Sequence, residues 1–210
     1  LSKEHARARA AEIDVHRTKQ HGPAPVGSDT TSFVVAHEEM AVSYIQSIYW
    51  PWGSGFTVPS TGVLMNNRML CFHTDASSPN RIAPRKRAVH TLNTFLVVRD
   101  GELVVGGGTP GADFQVQNNL QTIAGVADWG LDLQSAVDAP RWVILPDGRI
   151  RMESRFRDET VRGLEARGHS IDLTGAWDNT IARTQVVASR PAGGWAAASD
   201  LRGEGVALAL

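Results

Sequence analysis

The sequence predicts an α+β fold with mostly antiparallel strands. Three observations carry that expectation. Apolar runs come in the order strands, helices, strands, rather than in regular alternation. Asp100-Gly101 and Pro146-Asp147-Gly148 each separate two β-rich runs, as hairpin turns do. Between them, residues 113–129 and 131–141 show helical spacing instead of a period of two.

Each element follows from its residues. Residues 2–13 predict a short Ala-rich helix with Ser2 as N-cap. Residues 14–29 are polar and broken by Pro and Gly, which predicts a linker. Residues 32–35 and 41–45 predict two strands about a turn at His37-Glu38-Glu39. Residues 49–62, YWPWGSGFTVPSTG, predict a long irregular loop whose aromatics argue for order. A second polar loop spans 73–87. Residues 95–98 and 102–105 form the hairpin about Asp100-Gly101. In 113–129, Val116, Leu120, Ile123 and Ala127 recur at helical spacing on one face. Residues 131–141 predict a second helix stopped by Pro140. Strands at 141–145 and 149–153 follow, then an amphipathic helix at 157–167 ended by Gly168. Residues 183–190 and 194–199 close the chain as another hairpin.

Composition limits the function classes. The 210 residues suffice for one large domain or two small ones. A formal net charge of −1 leaves no basic footprint for nucleic acid and no polybasic membrane patch. No apolar run approaches ~18–20 residues, so no membrane-spanning helix is expected. The charged start LSKEHARARAAEID is not a signal peptide. A cytoplasmic location is therefore expected; a periplasmic or secreted one stays open because the sequence begins without Met. One cysteine, Cys71, excludes an internal disulfide or a multi-cysteine zinc site. The seven His lack helical ligand spacing, so no metal is expected, and no organic cofactor is implied.

Four features could carry chemistry. Gly106-x-Gly108-x-x-Gly111 has dinucleotide-fingerprint spacing, but a hairpin strand precedes it and a second helix, not a parallel strand, follows. Its exposed backbone N–H groups at a helix start suit an anion or oxyanion instead. His90 is either a structural side chain or a functional one. Cys71 reads as a small buried hydrophobe rather than a nucleophile. Asp29-Thr30 is the fourth: a Thr hydroxyl is a poor nucleophile unless a base adjoins it, and an N-terminal Thr supplies that base as its own α-amine, pKa ~8. Freeing it requires cleavage of the Asp29–Thr30 bond.

SDTTSFVV, AVSYIQS, WGSGFTVPSTGVLMNNRM, PNRIAPRKRAVHTLN, GGGTPGA, WGLDLQSAVDAPRW and GGWAAASDLRGEG occur in this order. Together they resemble the small-subunit half of the gamma-glutamyltransferase family, over roughly residues 27–206. The resemblance implies a four-layer αββα sandwich of the N-terminal nucleophile hydrolase type, shared with a large subunit. It makes residues 1–29 the tail of that subunit and linker, and residues 30–210 the nucleophile-bearing part. It implies that Thr30 is the nucleophile freed by self-cleavage, that Ser47 is the hydroxyl that hydrogen-bonds it, and that the Gly111 and Ala112 amides form the oxyanion hole. Asn66-Asn67 match the family's Asn pair.

The departures concern substrate. The family's Asn, Gln or Glu, and Asp that hold a glutamyl α-amine read here as Tyr49, Arg68 and Cys71, and its Ser-Ser pair reads as His90-Thr91. Arg68 would repel an ammonium. An acyl group without the α-amine is expected, one whose carboxylate Arg68, Thr91 or His90 could meet. Leu201 stands where the family has Pro, and His37-Glu38-Glu39-Met40 shortens the first turn. The implied activity is hydrolysis of small acyl amides, with the large subunit as partner. A gamma-glutamyltransferase using other residues for the amine and an uncleaved, inactive homologue are the rival expectations.

Overall fold

The computed structural model describes residues 2–14, 16, 29–38 and 40–209. The expected linker at 14–29 lies mostly outside them. Helix α1 (Lys3–Ala10) starts as its sequence dictates, with Ser2 Oγ accepting the His5 N–H at 3.1 Å. Strands β1 (Asp29–His37) and β2 (Met40–Tyr49) form an antiparallel hairpin. β3 (Thr94–Arg99) and β4 (Glu102–Gly108) form the second hairpin, turning through Asp100 at φ 52° and Gly101 at φ 87°. Positive φ at both central residues is the type I′ geometry that Asp-Gly favours.

Helices α2 (Gln115–Ala127) and α3 (Leu133–Asp138) follow, the latter capped by Asp132 Oδ1, which accepts the Ser135 N–H at 3.0 Å. Then come β5 (Trp142–Ile144), β6 (Ile150–Glu153), α4 (Asp158–Glu165), β7 (Ile171–Thr174), β8 (Gln185–Ser189) and β9 (Trp195–Ser199).

The strands make a four-stranded antiparallel sheet, order β3-β4-β8-β9, a three-stranded sheet, order β5-β6-β7, and the β1-β2 hairpin. The hairpin packs face to face on the four-stranded sheet. Ser43 Oγ donates to the Gly107 carbonyl across the layers at 2.8 Å. The approach is close because β4 carries glycines: a Cβ at Gly108 would lie 3.1 Å from Ile45 Cδ1. On the far face of the four-stranded sheet, α2 and α3 close a core of Val105, Val137, Val186, Ala188 and Ala198. The described layers are therefore helix, sheet, sheet. The outer face of the hairpin leaves Phe33, Val35, Val42 and Tyr44 exposed, with Phe33 stacked on Tyr44 at 5.1 Å.

Two features go beyond the sequence expectations. β7 pairs parallel to β6, and α4 makes the crossover that parallel neighbours require. The helix at 115–127 also buries a polar face. Val116 and Leu120 are exposed, while Gln115, Asn118, Asn119 and Thr122 are buried. The polar side chains go inside because they serve as bonding groups for non-helical backbone. Asn118 Nδ2 donates to the Phe114 and Ile181 carbonyls, Asn119 Nδ2 to that of Asn93, and Gln115 Oε1 accepts the Asn93 N–H. One turn apart, Gln117 and Gln121 bond the open edge of β5: Gln117 exchanges two bonds with Ile144 and Gln121 two with Trp142, at 2.7–3.4 Å.

A buried ionic network ties the sheets together. Glu153 accepts from Arg202 Nε at 2.6 Å, Arg202 Nη2 at 2.7 Å and Arg155 Nη2 at 2.7 Å. Arg202 Nη1 also reaches Asp200 at 2.8 Å, and its last donors go to the Val137 and Ala139 carbonyls. Burial alone would raise the Glu153 carboxyl, but the Arg202 bond and the Asp178 and Arg141 amides outweigh it and hold it below the usual range. Arg141, 1% exposed, has its pKa lowered to about 10, chiefly by burial.

Candidate active site

The Thr pair of the opening strand is resolved by strand alternation. Ser32, Val34 and Ala36 lie on the half-buried inner face of β1, and Thr31, Phe33 and Val35 on the exposed one. Thr30 shares the inner face, toward the four-stranded sheet. Its partner across the ladder is Ser47, and Asp29 pairs with Tyr49. The register slips between Asp29 and Thr30, leaving Ile48 as the extra residue of a bulge opposite the expected cleavage point. Ser47 Oγ accepts the Tyr49 N–H at 2.9 Å, and Tyr49 itself is at φ 82°. Positive φ at a large side chain is uncommon and is held here by the surrounding structure.

The glycine turn is anchored at its start. Thr109, fully buried, accepts the Arg183 N–H at 2.9 Å and ties the turn to the sheet. Gly111 at φ 133° and Ala112 at φ 45° then reverse the chain, and the Phe114 N–H closes a short 3-10 turn on the Gly111 carbonyl at 2.8 Å. Ala112 thus carries its Cβ in the left-handed region, which disfavours one. Among the described residues, neither the Gly111 nor the Ala112 N–H donates to a backbone carbonyl in the turn. A cleft of about 830 Å³ between β1 and the β8–β9 face is lined by Thr30 and by Pro110, the residue before Gly111. The Gly106–Gly111 run sits on a strand whose two neighbours are antiparallel, which is not the frame of a dinucleotide site.

A second group gathers beside the bulge. The Asn pair positions it: Asn67 Oδ1 accepts the Trp50 N–H and Asn66 Oδ1 the Arg68 N–H, each at 3.0 Å. Arg68 Nη1 donates to Thr91 Oγ1 at 2.9 Å, and its guanidinium lies 5.5 Å from the centre of the Tyr49 ring. Tyr49, Cys71 and Thr91 are buried. Burial first, then a hydrogen bond with Cys71 and the negative charge of Asp113, push the Tyr49 phenol above its ordinary range. His90 is not brought in: it is exposed, and its Nδ1 accepts the Leu92 N–H at 3.3 Å. Sequence reasoning missed Asp113. It directly follows Ala112, and partial burial raises its carboxyl; its place next to the glycine turn was the available signal.

A profile described as Gamma-glutamyltranspeptidase matches residues 1–210. The chain belongs to that family. It is 33% identical to the glutathione hydrolase-like YwrD proenzyme of Bacillus subtilis, over 100% of this chain and 41% of that protein. It is 30% identical to the oxamate amidohydrolase proenzyme of Klebsiella pneumoniae, over 83% of this chain and 34% of that protein. The chain thus spans well under half the length of these relatives. Among solved structures, the cephalosporin acylase from Bacillus halodurans matches with a TM-score of 0.82 and 30% identity, over 96% of this chain and 37% of that one. The gamma-glutamyltranspeptidase from Pseudomonas nitroreducens complexed with L-DON matches with 0.73 and 28%, over 86% of this chain and 99% of that chain. The α+β fold of the N-terminal nucleophile hydrolases, expected from the sequence, is the fold of this chain.

Proposed function

We propose that this chain carries the nucleophile of a self-processing amide hydrolase, and that the mature small chain begins at Thr30. The observation that carries the reading is Thr30: inward-facing, opposite Ser47, at a bulge, in a cleft shared with the start of the Gly111–Ala112 turn. In processing, Thr30 Oγ1 attacks the Asp29 carbonyl carbon. The C–N bond breaks as the acyl group moves to oxygen, and the hydroxyl proton passes to the nitrogen, which becomes the new α-amine. Water then cleaves the ester, leaving the Asp29 carboxylate and the regenerated hydroxyl.

In turnover, that amine accepts the hydroxyl proton as Oγ1 adds to the substrate carbonyl. The Gly111 and Ala112 N–H groups stabilise the tetrahedral oxyanion, with Ser47 orienting the nucleophile. The leaving amine takes the proton, and water hydrolyses the acyl-enzyme. The remainder of the precursor is the partner, a reading supported by the relatives' names as proenzymes. Replacement of the amine-holding residues by Tyr49, Arg68 and Cys71 favours a small acyl amide without an α-amine.

One observation favours a second reading, gamma-glutamyl transfer: Asp113 places a carboxylate within electrostatic reach of Tyr49, where an ammonium could be held. N-terminal sequencing of the complete gene product tests the proposal. A smaller fragment beginning at Thr30 is expected; an unsplit chain that resists acylation by an amide-type probe would sink it. Hydrolysis rates of a gamma-glutamyl anilide and a simple acyl anilide separate the two readings.

A further inference from the structure

Past Thr94 and Gly108, the last pair of the second hairpin, β4 leaves the ladder for the glycine turn and β3 loses its neighbour. Two side chains of α2 take over. Gln115 Oε1 accepts the Asn93 N–H at 2.8 Å, and Asn119 Nδ2, one turn on, donates to the Asn93 carbonyl at 2.7 Å. Asn93 is thus bonded through both backbone groups, as a residue inside a sheet would be. Its own Nδ2 donates to the Thr91 carbonyl at 3.0 Å, and Thr91 Oγ1 accepts from Arg68 Nη1 at 2.9 Å. One line of bonds therefore runs from the helix that follows the Gly111–Ala112 turn, through Asn93, to the group beside Tyr49.

Holding Asn93 in this way is costly. Gln115 is fully buried and Asn119 is 6% exposed, yet Gln115 Nε2 and Asn119 Oδ1 have no partner among the described residues. The next residue in each case, Val116 and Leu120, is apolar and exposed. A helix arranged for apolar burial alone would turn those two inward. We infer that Gln115 and Asn119 are positioning residues for acyl transfer: by gripping Asn93 they fix the Thr91–Arg68 group at one distance from the Gly111 and Ala112 amides. This goes beyond, and rests on, the reading of those amides as the oxyanion hole for Thr30. Without the grip, each wall of the site still meets its own part of the substrate. The transition state needs both walls at once, so the loss falls on kcat.

The test sets activity against stability in the complete gene product. Q115M keeps the length of the side chain and removes its acceptor. Q115E keeps the acceptor but buries a carboxyl group, so it should melt at the lower temperature of the two. The substrate is the better of a gamma-glutamyl anilide and a simple acyl anilide. Q115M should lower kcat about 10- to 100-fold, as a misplacement of about 1 Å does, and change KM less than about threefold. Q115E should keep kcat within about fivefold of the wild type despite its lower melting temperature. N119L should behave like Q115M, and the double variant should lose less than the product of the two, because both losses pass through Asn93. An unchanged kcat in Q115M, or a Q115E no more active than Q115M, would mean that these side chains only support the helix and would overturn the inference. Hydrogen exchange keeps the test independent of turnover. Q115M should speed exchange both at the Asn93 amide and at the Phe114 amide that closes the glycine turn. If the wild type cleaves no anilide but both amides speed up, the link between the walls stands and the nucleophile reading falls. If either amide is unaffected, the walls are not joined through Gln115 and the inference falls.

Discussion

Arg202 and Arg68 are both drawn into the protein, and they are treated in opposite ways. Every donor of Arg202 is used: Nε and Nη2 on Glu153, Nη1 on Asp200 and Val137, Nη2 again on Ala139. Trp177 lies against it, 5.0 Å from ring centre to guanidinium, and still closer to Arg155 at 3.6 Å. Around Arg68 the same chemistry is left unfinished. The difference separates a cation saturated within its own network from one with a donor to spare. The backbone differs too: Tyr49 and Ala112 have positive φ, as do residues of several turns, while none occurs at the residues of the ionic network.

The comparison predicts that site changes cost chemistry and network changes cost stability. Thr30→Ala should produce the largest effect, abolishing maturation and lowering turnover at least ~10³-fold, with an unaltered melting curve; intact mass and an anilide assay read both. A T30A protein that still splits before residue 30 would break the assignment. Next, Glu153→Gln should cost about 3–5 kcal/mol in denaturant unfolding, because Arg155 loses its carboxylate and the buried Arg202 keeps only that of Asp200. Arg202→Met should approach that loss, whereas Arg68→Met should cost under about 1 kcal/mol.

Acid should act through the network as well. The Glu153 carboxyl is held below its ordinary value of 4.5. Its stabilisation is therefore complete above about that pH and is lost as the pH falls through the depressed folded value. Unfolding measured from pH 6 downward should show this slope in the wild type and a shallower one in E153Q. The smallest effect is expected of Ala112→Gly, which should gain up to about 1 kcal/mol: release of the left-handed Cβ penalty outweighs the extra chain entropy.

The parts of the fold legible in sequence were those whose signal is local. Asp100-Gly101 fixed one hairpin and Pro146-Asp147-Gly148 another, because turn chemistry needs no knowledge of distant residues. β7 was lost because Ile171–Thr174 has only four residues, and its strand character comes from lying beside β6. The α2 stripe shows a related limit. Val116 and Leu120 obey helical period yet stay exposed, since Asn118 and Asn119 are needed inside by carbonyls far along the chain. At the site, register brought Thr30 to Ser47, while Arg68 reached Tyr49 and Thr91 from a 3-10 turn outside the sheets, which no local signal predicts. His90 stayed outside, its ring turned back on its own loop, and Asp113 went unread because no motif marks it.

Gln117 and Gln121 have one more effect. Their carboxamides present a donor and an acceptor at the spacing that a neighbouring backbone would, so β5 meets a counterfeit strand made of side chains. An edge matched in this way offers no template for stacking copies of the chain, and guards the small sheet against amyloid-like growth on that side.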